Sequence, residues 1–356
     1  MGDRSNDTTP GPRSARRVDP VVGPAPLVDS FGRVHRDLRI SITDRCNFRC
    51  TYCMPEEGMP WLPRTDLLSY EELTRVAALL VERYDFDGIR ITGGEPTVRA
   101  HLPVLIEKLS ALRTSDGQPV DVAMTTNGAT LRLIADDLAS AGLRRINVSC
   151  DSLRPERFLA LTKRDCLADV LDGIDAAVGA GLQPVKVNVV VMRGVNDDEI
   201  VDFATFGRER GVAIRFIEFM PLDAQGDWTN GQVVTHDEIV AAIGAAYPIE
   251  SVAARGSDPA ERFRYLDGQG EVGVIASVTH SFCSSCDRIR LTAEGQLRNC
   301  LFALDEFDLR GPMRSGATDD DLAGIVERAV EAKWAGHSIN QVHFIKPKRG
   351  MSQIGG

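Results

Sequence analysis

Residues 38–53 read LRISITDRCNFRCTYC. Apolar and polar residues alternate over positions 38–42, which is typical of a β-strand with one buried face. The loop after this strand carries Cys46, Cys50 and Cys53. Structural zinc normally has four protein ligands, and no fourth cysteine or histidine lies near this loop. Three thiolates therefore favour an iron–sulfur cluster that keeps one iron open to a small molecule, and a zinc site completed by a distant residue is the alternative.

The segments after this loop repeat one unit, a strand followed by a helix. Ser69 and Glu72 predict the start of the first helix as a capping box. Further strands are predicted at 88–92, 120–126, 145–150, 185–192 and 213–219, with helices at 101–112, 131–141, 168–180 and 197–210 between them. Such alternation gives a parallel sheet with right-handed crossovers. Six units predict an α/β fold, an incomplete (β/α)6 barrel with its active site at the carboxyl ends of the strands.

The chain divides into three predicted regions. Residues 1–35 are rich in proline, glycine, arginine, serine and aspartate and are predicted to be a disordered extension. Residues 36–220 form the partial barrel, and residues 221–356 form a C-terminal α+β domain that packs against it. Within this last region we expect a helix over 237–247, strands around 262–266 and 271–277, and a final helix over 319–334.

The composition excludes several classes of protein. The 356 residues include 41 basic and 51 acidic side chains, which gives a formal charge of −10. This balance argues against a bulk nucleic-acid binder, which needs a basic face. No apolar run approaches the roughly 18–20 residues that span a bilayer, and the N-terminal arginines are not followed by the apolar segment of a secretory signal. We therefore expect a cytoplasmic protein with reduced thiols.

A second group of three cysteines comprises Cys283, Cys286 and Cys300. His280 lies three residues before it, so a structural zinc site with three cysteines and one histidine is one interpretation. Arg288 and Arg290 alternate on the strand predicted to follow, however, and guanidinium groups are well suited to bidentate recognition of phosphate. We interpret this pair as an anion site beside the second metal group, and a solvated basic strand face is the alternative.

The first cysteine loop resembles that of the radical S-adenosylmethionine (SAM) superfamily. Tyr52 stands where that superfamily has an aromatic residue before the last cysteine, and Gly93-Gly94-Glu95-Pro96 follows the second strand, where the superfamily has its Gly-Gly-Glu-Pro motif. Glycines there would let the backbone approach a ligand closely. With the second cysteine group and the terminal Gly355-Gly356, the chain from about residue 31 onward resembles the GTP 3′,8-cyclase family.

The resemblance implies two [4Fe–4S] clusters and SAM as cofactors. The cluster on Cys46, Cys50 and Cys53 would bind SAM, and the cluster on Cys283, Cys286 and Cys300 would bind GTP. The implied reaction is a lyase reaction, the radical cyclisation of GTP to (8S)-3′,8-cyclo-7,8-dihydroguanosine 5′-triphosphate. It is the first step of molybdenum cofactor biosynthesis. An electron donor, a downstream cyclic pyranopterin monophosphate synthase and a possible homodimer are the implied partners.

The resemblance also implies the other site residues. The SAM-binding positions are Tyr52, Gly94, Glu95, Ser149 and Met220. The GTP-binding positions are Arg39, Arg90, Thr125, Lys186, Arg288, Ile289 and Arg290. Arg288, Arg290, Gly355 and Gly356 are the residues implied in catalysis. An alternative for Arg39 and Lys186 is a structural ion pair inside the barrel, with Glu218 as a candidate partner. Cys150 is expected to point away from the pocket into the core.

Two other functions remain as alternatives at this point. One is another two-cluster radical SAM enzyme, of the peptide-modifying or maturase type. The other is a zinc-stabilised scaffold without catalysis.

Overall fold

Twelve strands form one sheet in the computed structural model of the protein, which describes residues 25–354 apart from 56, 224–225, 253–255, 340 and 342–343. The strands are β1 (Asp37–Ser41), β2 (Gly88–Thr92), β3 (Asp121–Thr126), β4 (Arg145–Ser149), β5 (Val185–Val191), β6 (Ala213–Glu218), β7 (Ile249–Ser251), β8 (Glu261–Tyr265), β9 (Glu271–Ile275), β10 (Arg288–Leu291), β11 (Gln296–Arg298) and β12 (Phe307–Asp308). Their order across the sheet is β12-β11-β10-β1-β2-β3-β4-β5-β6-β9-β8-β7. Strands β1 to β6 pair in parallel and in chain order, which confirms the predicted α/β fold with an incomplete barrel.

Helices connect the barrel strands and continue into the C-terminal region. They are α1 (Tyr70–Tyr84), α2 (Leu102–Ser110), α3 (Ala135–Ser140), α4 (Pro155–Thr162), α5 (Leu167–Gly179), α6 (Ile200–Arg210), α7 (His236–Ala246), α8 (Arg310–Arg314), α9 (Asp319–Glu331) and α10 (Met351–Ile354). Short 3-10 turns lie at Pro96–Val98, Leu131–Leu133, Asp197–Glu199, Asn230–Gln232 and Cys283–Ser285. The predicted capping box is present, since the Glu72 amide donates to Ser69 Oγ at 3.1 Å and the Ser69 amide donates to Glu72 Oε2 at 2.7 Å.

The prediction missed α4, because its eight residues give only about two turns of apolar periodicity. Among the described residues, no helix combines the length and apolar character needed to cross a membrane.

The C-terminal region extends the barrel sheet at both edges. Strand β10 pairs in parallel with β1, and β9 pairs in parallel with β6. The sequence predicted a separate domain packed against the barrel, but within the described residues its strands continue the same sheet. Pairing between strands so distant in the chain leaves no local signal, which is why the prediction missed it.

The prediction of a disordered extension is wrong for the part of it that the structure describes, residues 25–35. Val28 forms a β-bridge with Val34, and the Asp29 carboxylate accepts hydrogen bonds from the amides of Phe31 at 2.9 Å and Arg33 at 3.0 Å. His35 is fully buried. Residues 1–35 taken together have a composition typical of disorder, and composition alone could not indicate the ordered turn at the end of this stretch. Residues 1–24 lie outside the described residues.

Side chains of the barrel strands alternate between two environments. Leu38 and Ile40 of β1 are fully buried in the hydrophobic core, whereas Arg39 between them lines an internal cavity. The same alternation holds in β5, where Val185 and Val187 belong to the core and Lys186 lines the cavity. The barrel therefore has a polar interior, and its core lies on the opposite face of the sheet.

Glu218 at the end of β6 ties three elements together. It is fully buried, and it accepts hydrogen bonds from the amides of His236 at 2.9 Å, Val278 at 2.7 Å and Thr279 at 2.9 Å. The alternative that Glu218 pairs with the cations inside the barrel is therefore wrong. Its acceptor capacity is taken up by these three amides and by the Thr279 hydroxyl, all from the C-terminal region.

We expect Glu218→Gln to lower the free energy of unfolding by about 2–4 kcal/mol, because the amide group replaces an acceptor oxygen and leaves buried donors unsatisfied. Urea titration under anaerobic conditions measures this change. Glu209→Gln, at an exposed position of α6, is the matched control and should change the free energy by less than about 0.5 kcal/mol. Equal effects of the two substitutions would contradict the role assigned to Glu218.

Candidate active site

Three adjoining cavities form one chamber inside the barrel. The first contains Cys46, Cys50 and Cys53, the second contains the barrel cations, and the third contains Cys283, Cys286 and Cys300. Neighbouring cavities share lining residues: Thr125 and Asn188 join the first to the second, and Arg288 and Arg290 join the second to the third. Met220 lines all three. We call this continuous space the chamber.

The first cysteine group lies in the loop that follows β1. Amides of Cys53 and Met54 donate to the Cys50 carbonyl at 2.9 and 3.1 Å, so the loop closes one tight turn around the group. Burial raises the pKa of Cys46 to about 11 and that of Cys53 to about 12. Among the described residues, no further cysteine and no histidine lines this cavity. A donor set of three thiols fits a cluster with one iron lacking a protein ligand better than it fits four-coordinate zinc.

Gly93 and Gly94 bring the turn after β2 against this loop. The Gly94 amide donates to the Thr43 carbonyl at 2.7 Å, and a Cβ atom added at Gly93 would lie 2.6 Å from that same oxygen. At Gly94 such an atom would meet the carbonyl oxygens of Asp44 and Arg45. We expected these glycines to admit a ligand; in the structure, the close approach that requires them is to the cysteine loop itself.

Glu95 is fully buried at the edge of the first cavity. Its carboxylate accepts hydrogen bonds from the Thr97 amide at 3.0 Å, the Asn127 amide at 2.6 Å and Thr126 Oγ1 at 2.7 Å. These contacts connect the turns after β2 and β3. Contact between Glu95 and SAM stays a prediction.

Tyr52 and Asp151 are in direct contact in the lining of the first cavity. The Tyr52 hydroxyl donates to Asp151 Oδ2 at 2.5 Å, and the Val190 amide donates to Oδ1 at 2.8 Å. Burial raises the pKa of Asp151 to about 6. The sequence reasoning missed Asp151, although its place just after β4, two residues beyond Ser149, was a usable signal. Ser149 lines the same cavity, and Cys150 is buried in the core, as expected.

The barrel cations form a row across three strands. Arg290 of β10 pairs with Arg39 of β1, and Arg39 pairs with Arg90 of β2. Burial lowers the pKa of all three guanidinium groups, that of Arg290 to about 10. Like charges directly opposite each other on neighbouring strands are destabilising. The row therefore needs negative charge to face it.

Several guanidinium nitrogens in this part of the chamber lack a hydrogen-bond acceptor among the described residues. Within the described part of the chain, Nε of Arg39, Nε and Nη1 of Arg90 and Nε of Arg288 are buried without a hydrogen-bond partner. Arg39 has a carboxylate oxygen of Asp37 only at 3.9 Å. Buried donors without acceptors are costly. An anionic ligand bound in the chamber would satisfy them.

Lys186 and Arg215 extend the cationic lining into β5 and β6. Burial, followed by repulsion from Arg215, lowers the pKa of Lys186 to about 8. Arg215 is partly neutralised, because its guanidinium donates to Glu271 at 2.5 Å. The sequence reasoning missed Arg215, although it lies within an apolar strand as Lys186 does. Asp258 is the carboxylate that the described residues contribute to this cavity.

The second cysteine group has cations closer to its sulfur atoms than the first. Arg288 Nη2 donates to the Cys286 sulfur at 3.3 Å. Burial raises the pKa of the Cys283 thiol, but hydrogen bonds to His337 and Ser281 outweigh this effect and lower it to about 6. Cations and hydrogen-bond donors thus stabilise the thiolates of Cys283 and Cys286, whereas burial raises the pKa of Cys300. Three cysteines in one cavity also fit an iron–sulfur cluster.

Two residues near this group lie elsewhere than predicted. His280 packs against His236 with tilted rings whose centroids lie 4.6 Å apart. Among the described residues, His337 and not His280 is the histidine that lines the cavity. Ile289 is fully buried in the hydrophobic core, because strand β10 alternates and directs Arg288 and Arg290 to the other face. Its predicted contact with substrate is therefore wrong for the side chain. Gly355 and Gly356 lie outside the described residues.

Comparison with known proteins identifies both halves of the chain. Residues 40–207 match the Radical SAM superfamily, and residues 212–339 match the family described as Molybdenum Cofactor Synthesis C. The GTP 3′,8-cyclase of Streptomyces coelicolor is 48% identical over 332 residues, covering 93% of this chain and 96% of the relative. The GTP 3′,8-cyclase of Corynebacterium glutamicum strain R is 46% identical over 345 residues, covering 95% of this chain and 92% of the relative.

Solved structures agree on the fold. Streptococcus suis SuiB bound to S-adenosylmethionine superposes with a TM-score of 0.55 at 12% identity, covering 83% of this chain and 68% of that one. Native anSMEcpe with bound AdoMet has a TM-score of 0.55 at 15% identity, covering 76% and 77%. At these identities the likeness shows the fold alone, whereas the relatives of near full length are decisive. The chain belongs to the GTP 3′,8-cyclase family of radical SAM enzymes.

Proposed function

We propose that the protein uses SAM to cyclise GTP to (8S)-3′,8-cyclo-7,8-dihydroguanosine 5′-triphosphate, the first step of molybdenum cofactor biosynthesis. One observation carries the proposal: a single chamber has three cysteines in each of its two outer cavities and buried, unsatisfied guanidinium donors between them. A cluster on Cys46, Cys50 and Cys53 would supply the electron that releases a 5′-deoxyadenosyl radical from SAM.

The barrel cations are assigned to the triphosphate. Arg39, Arg90 and Lys186 face the middle cavity from β1, β2 and β5, and a triphosphate carries enough charge to offset several cations at once. Guanidinium groups bind phosphate oxygens through parallel hydrogen bonds. Binding would therefore satisfy the nitrogens that lack partners in the free protein.

The order of the cavities orients the nucleotide. With its phosphates on the barrel cations, the guanine base lies toward Cys283, Cys286 and Cys300, where a second cluster would hold it. Met220 lines all three cavities, and with the phosphates in the second and the base in the third it would lie beside the ribose. This placement brings the 3′ hydrogen toward the SAM side of the chamber. Arg288 and Arg290 lie between phosphates and base.

The remaining assignments follow from this chemistry and the family. SAM contacts are assigned to Tyr52, Gly94, Glu95, Ser149 and Met220, and Gly355-Gly356 is assigned to the completion of the site. The reaction consumes an electron from an external donor, and the product requires a cyclic pyranopterin monophosphate synthase. We also propose a cytoplasmic location, since open irons need reducing surroundings, and a homodimer by analogy with the family.

The two cysteine groups should be separable by experiment. We expect anaerobically purified protein to transfer deuterium from 3′-deuterated GTP to 5′-deoxyadenosine, as mass spectrometry would detect. We expect Cys283→Ala to keep cleavage of SAM but to lose cyclisation, because the base is no longer held. Cys166→Ala, at a half-buried position outside both groups, is the control. Normal cyclisation by Cys283→Ala, or a colourless zinc protein, would contradict the proposal.

Arg90→Met should affect activity and stability in opposite directions. We expect kcat/KM for GTP to fall about 10–100-fold, in line with the roughly 1.5–3 kcal/mol of a hydrogen bond to a charged group. The free energy of unfolding of the free protein should rise by about 1 kcal/mol, because a cation whose Nε and Nη1 are buried without hydrogen-bond partners is removed. Arg132→Met, at a side chain that is 55% exposed, should change neither quantity appreciably. A loss of stability in Arg90→Met would mean that the arginine is structural.

The pKa of Lys186, about 8, predicts a pH dependence. The lysine is charged below this pH and loses its proton above it, so binding of the triphosphate should weaken as the pH rises through about 8. We expect kcat/KM for GTP to fall on this alkaline side, and Lys186→Arg to remove the decline because arginine stays charged. Initial rates between pH 6.5 and about 9.5 test this. An unchanged decline in Lys186→Arg would assign it to another group.

A further inference from the structure

A buried ammonium group lies directly behind the second cysteine group. Lys333, just after α9, is only 4% exposed. Its Nζ donates to the carbonyls of Arg288 at 2.8 Å and Cys286 at 3.2 Å, and lies 3.7 Å from the Cys286 sulfur. The charge is thus fixed on the protein side of the thiol, away from the chamber.

A buried chain of polar groups holds this lysine. Nζ lies 3.5 Å from Nδ1 of His35, and Nε2 of His35 lies 3.1 Å from Oδ2 of Asp29. Burial lowers the pKa of His35 to about 4, so the imidazole is neutral. A single tautomer satisfies both contacts: Nε2–H donates to the carboxylate, and the Nδ1 lone pair accepts from the ammonium.

The same N-terminal segment also fixes the neighbouring cysteine. Arg33 donates from Nη1 to the Cys283 carbonyl at 2.8 Å and to the Ala335 carbonyl at 3.0 Å, and from Nη2 to the Trp334 carbonyl at 2.6 Å. Its Nε donates to Asp29 at 2.6 Å. Residues 29–35 therefore connect the loop of Cys283 to the segment after α9. The Asp29 carboxylate orients Arg33 directly and Lys333 through His35.

No lysine or arginine lines the first cysteine cavity among the described residues. Arg49 lies beside the first group, but its Nη1 donates to the carbonyls of Cys46 and Phe48 and not to a sulfur. In the second group, by contrast, Arg288 Nη2 and Lys333 Nζ lie 3.3 and 3.7 Å from the Cys286 sulfur. A positive charge beside a cluster ligand favours the reduced cluster, since reduction adds one negative charge, and hydrogen bonds to ligand sulfurs act in the same direction.

We propose that Lys333 is a positioning residue that raises the reduction potential of the cluster on Cys283, Cys286 and Cys300, and that Asp29 and His35 hold it in place. The proposal rests on the proposed function, because it requires a cluster at this group. The reaction concerned is the addition of one electron to the cluster, with no bond made or broken.

The test uses the full-length chain with Cys46, Cys50 and Cys53 all changed to alanine, so that a second cluster alone contributes to the signal. Lys333→Gln keeps hydrogen-bond donors near the two carbonyls but removes the charge, and Lys333→Arg keeps the charge. Lys108→Met, which removes a partly exposed ammonium from α2, is the control. Dithionite titration followed by electron paramagnetic resonance gives the midpoint potential of each variant.

We expect Lys333→Gln to shift the one-electron equilibrium at least tenfold toward the oxidised form, equivalent to about 59 mV, with little change in Lys333→Arg and none in Lys108→Met. Loss of iron in Lys333→Gln, even with iron retained in Lys333→Arg, would mean that the charge is needed to hold the cluster and not to set its potential, and would overturn the proposal. An unchanged potential in Lys333→Gln, equal shifts in both variants, or loss of iron in both would overturn the proposal. If the alanine background itself binds no iron, the second cluster of the proposed function fails, and the role of Lys333 fails with it.

Discussion

The parallel pairing of β10 with β1 is the constraint on which the chamber depends. It places Arg290 beside Arg39, which β2 already flanks with Arg90. Facing like charges and donors without acceptors oppose folding. The apolar side chains on the opposite face of these strands, such as Leu38 and Ile40, offset that cost. The fold thus holds the free protein in an unfavourable arrangement of like charges and unsatisfied donors. A bound polyanion would relieve it.

The sequence predicted the features that depend on neighbouring residues. Alternation placed Arg39 and Lys186 inside the barrel, and the spacing of the cysteines identified both groups. It did not predict which strands meet, because pairing of residues 37–41 with 288–291 has no local signature. For the same reason the C-terminal region was expected to form a separate unit, whereas its strands lengthen the barrel sheet at both edges.

The hydrogen-bond partners of the buried carboxylates were the least predictable part of the structure around the site. Glu95, Glu218 and Asp151 all accept hydrogen bonds from backbone amides of other elements, and every residue except proline offers such a donor, so no sequence pattern marks the partner. Asp29 is similar, since its turn is hidden within a stretch of disorder-like composition. These residues connect the loops around the chamber. Gly93 and Gly94, which we expected to admit a ligand, likewise allow two loops to contact each other.

The two outer strands of the six-stranded barrel, β1 and β6, pair with strands from late in the chain. Strand β9, beside β6, begins at Glu271, and β10, beside β1, begins at Arg288. During translation the outer edges of β1 and β6, which face away from β2 and β5, therefore stay unpaired until these residues have left the ribosome. Open strand edges attract other chains, so the nascent protein is exposed to aggregation for most of its synthesis. Completion of the chamber consequently follows synthesis of the late residues that line its third cavity, such as Cys300 and His337.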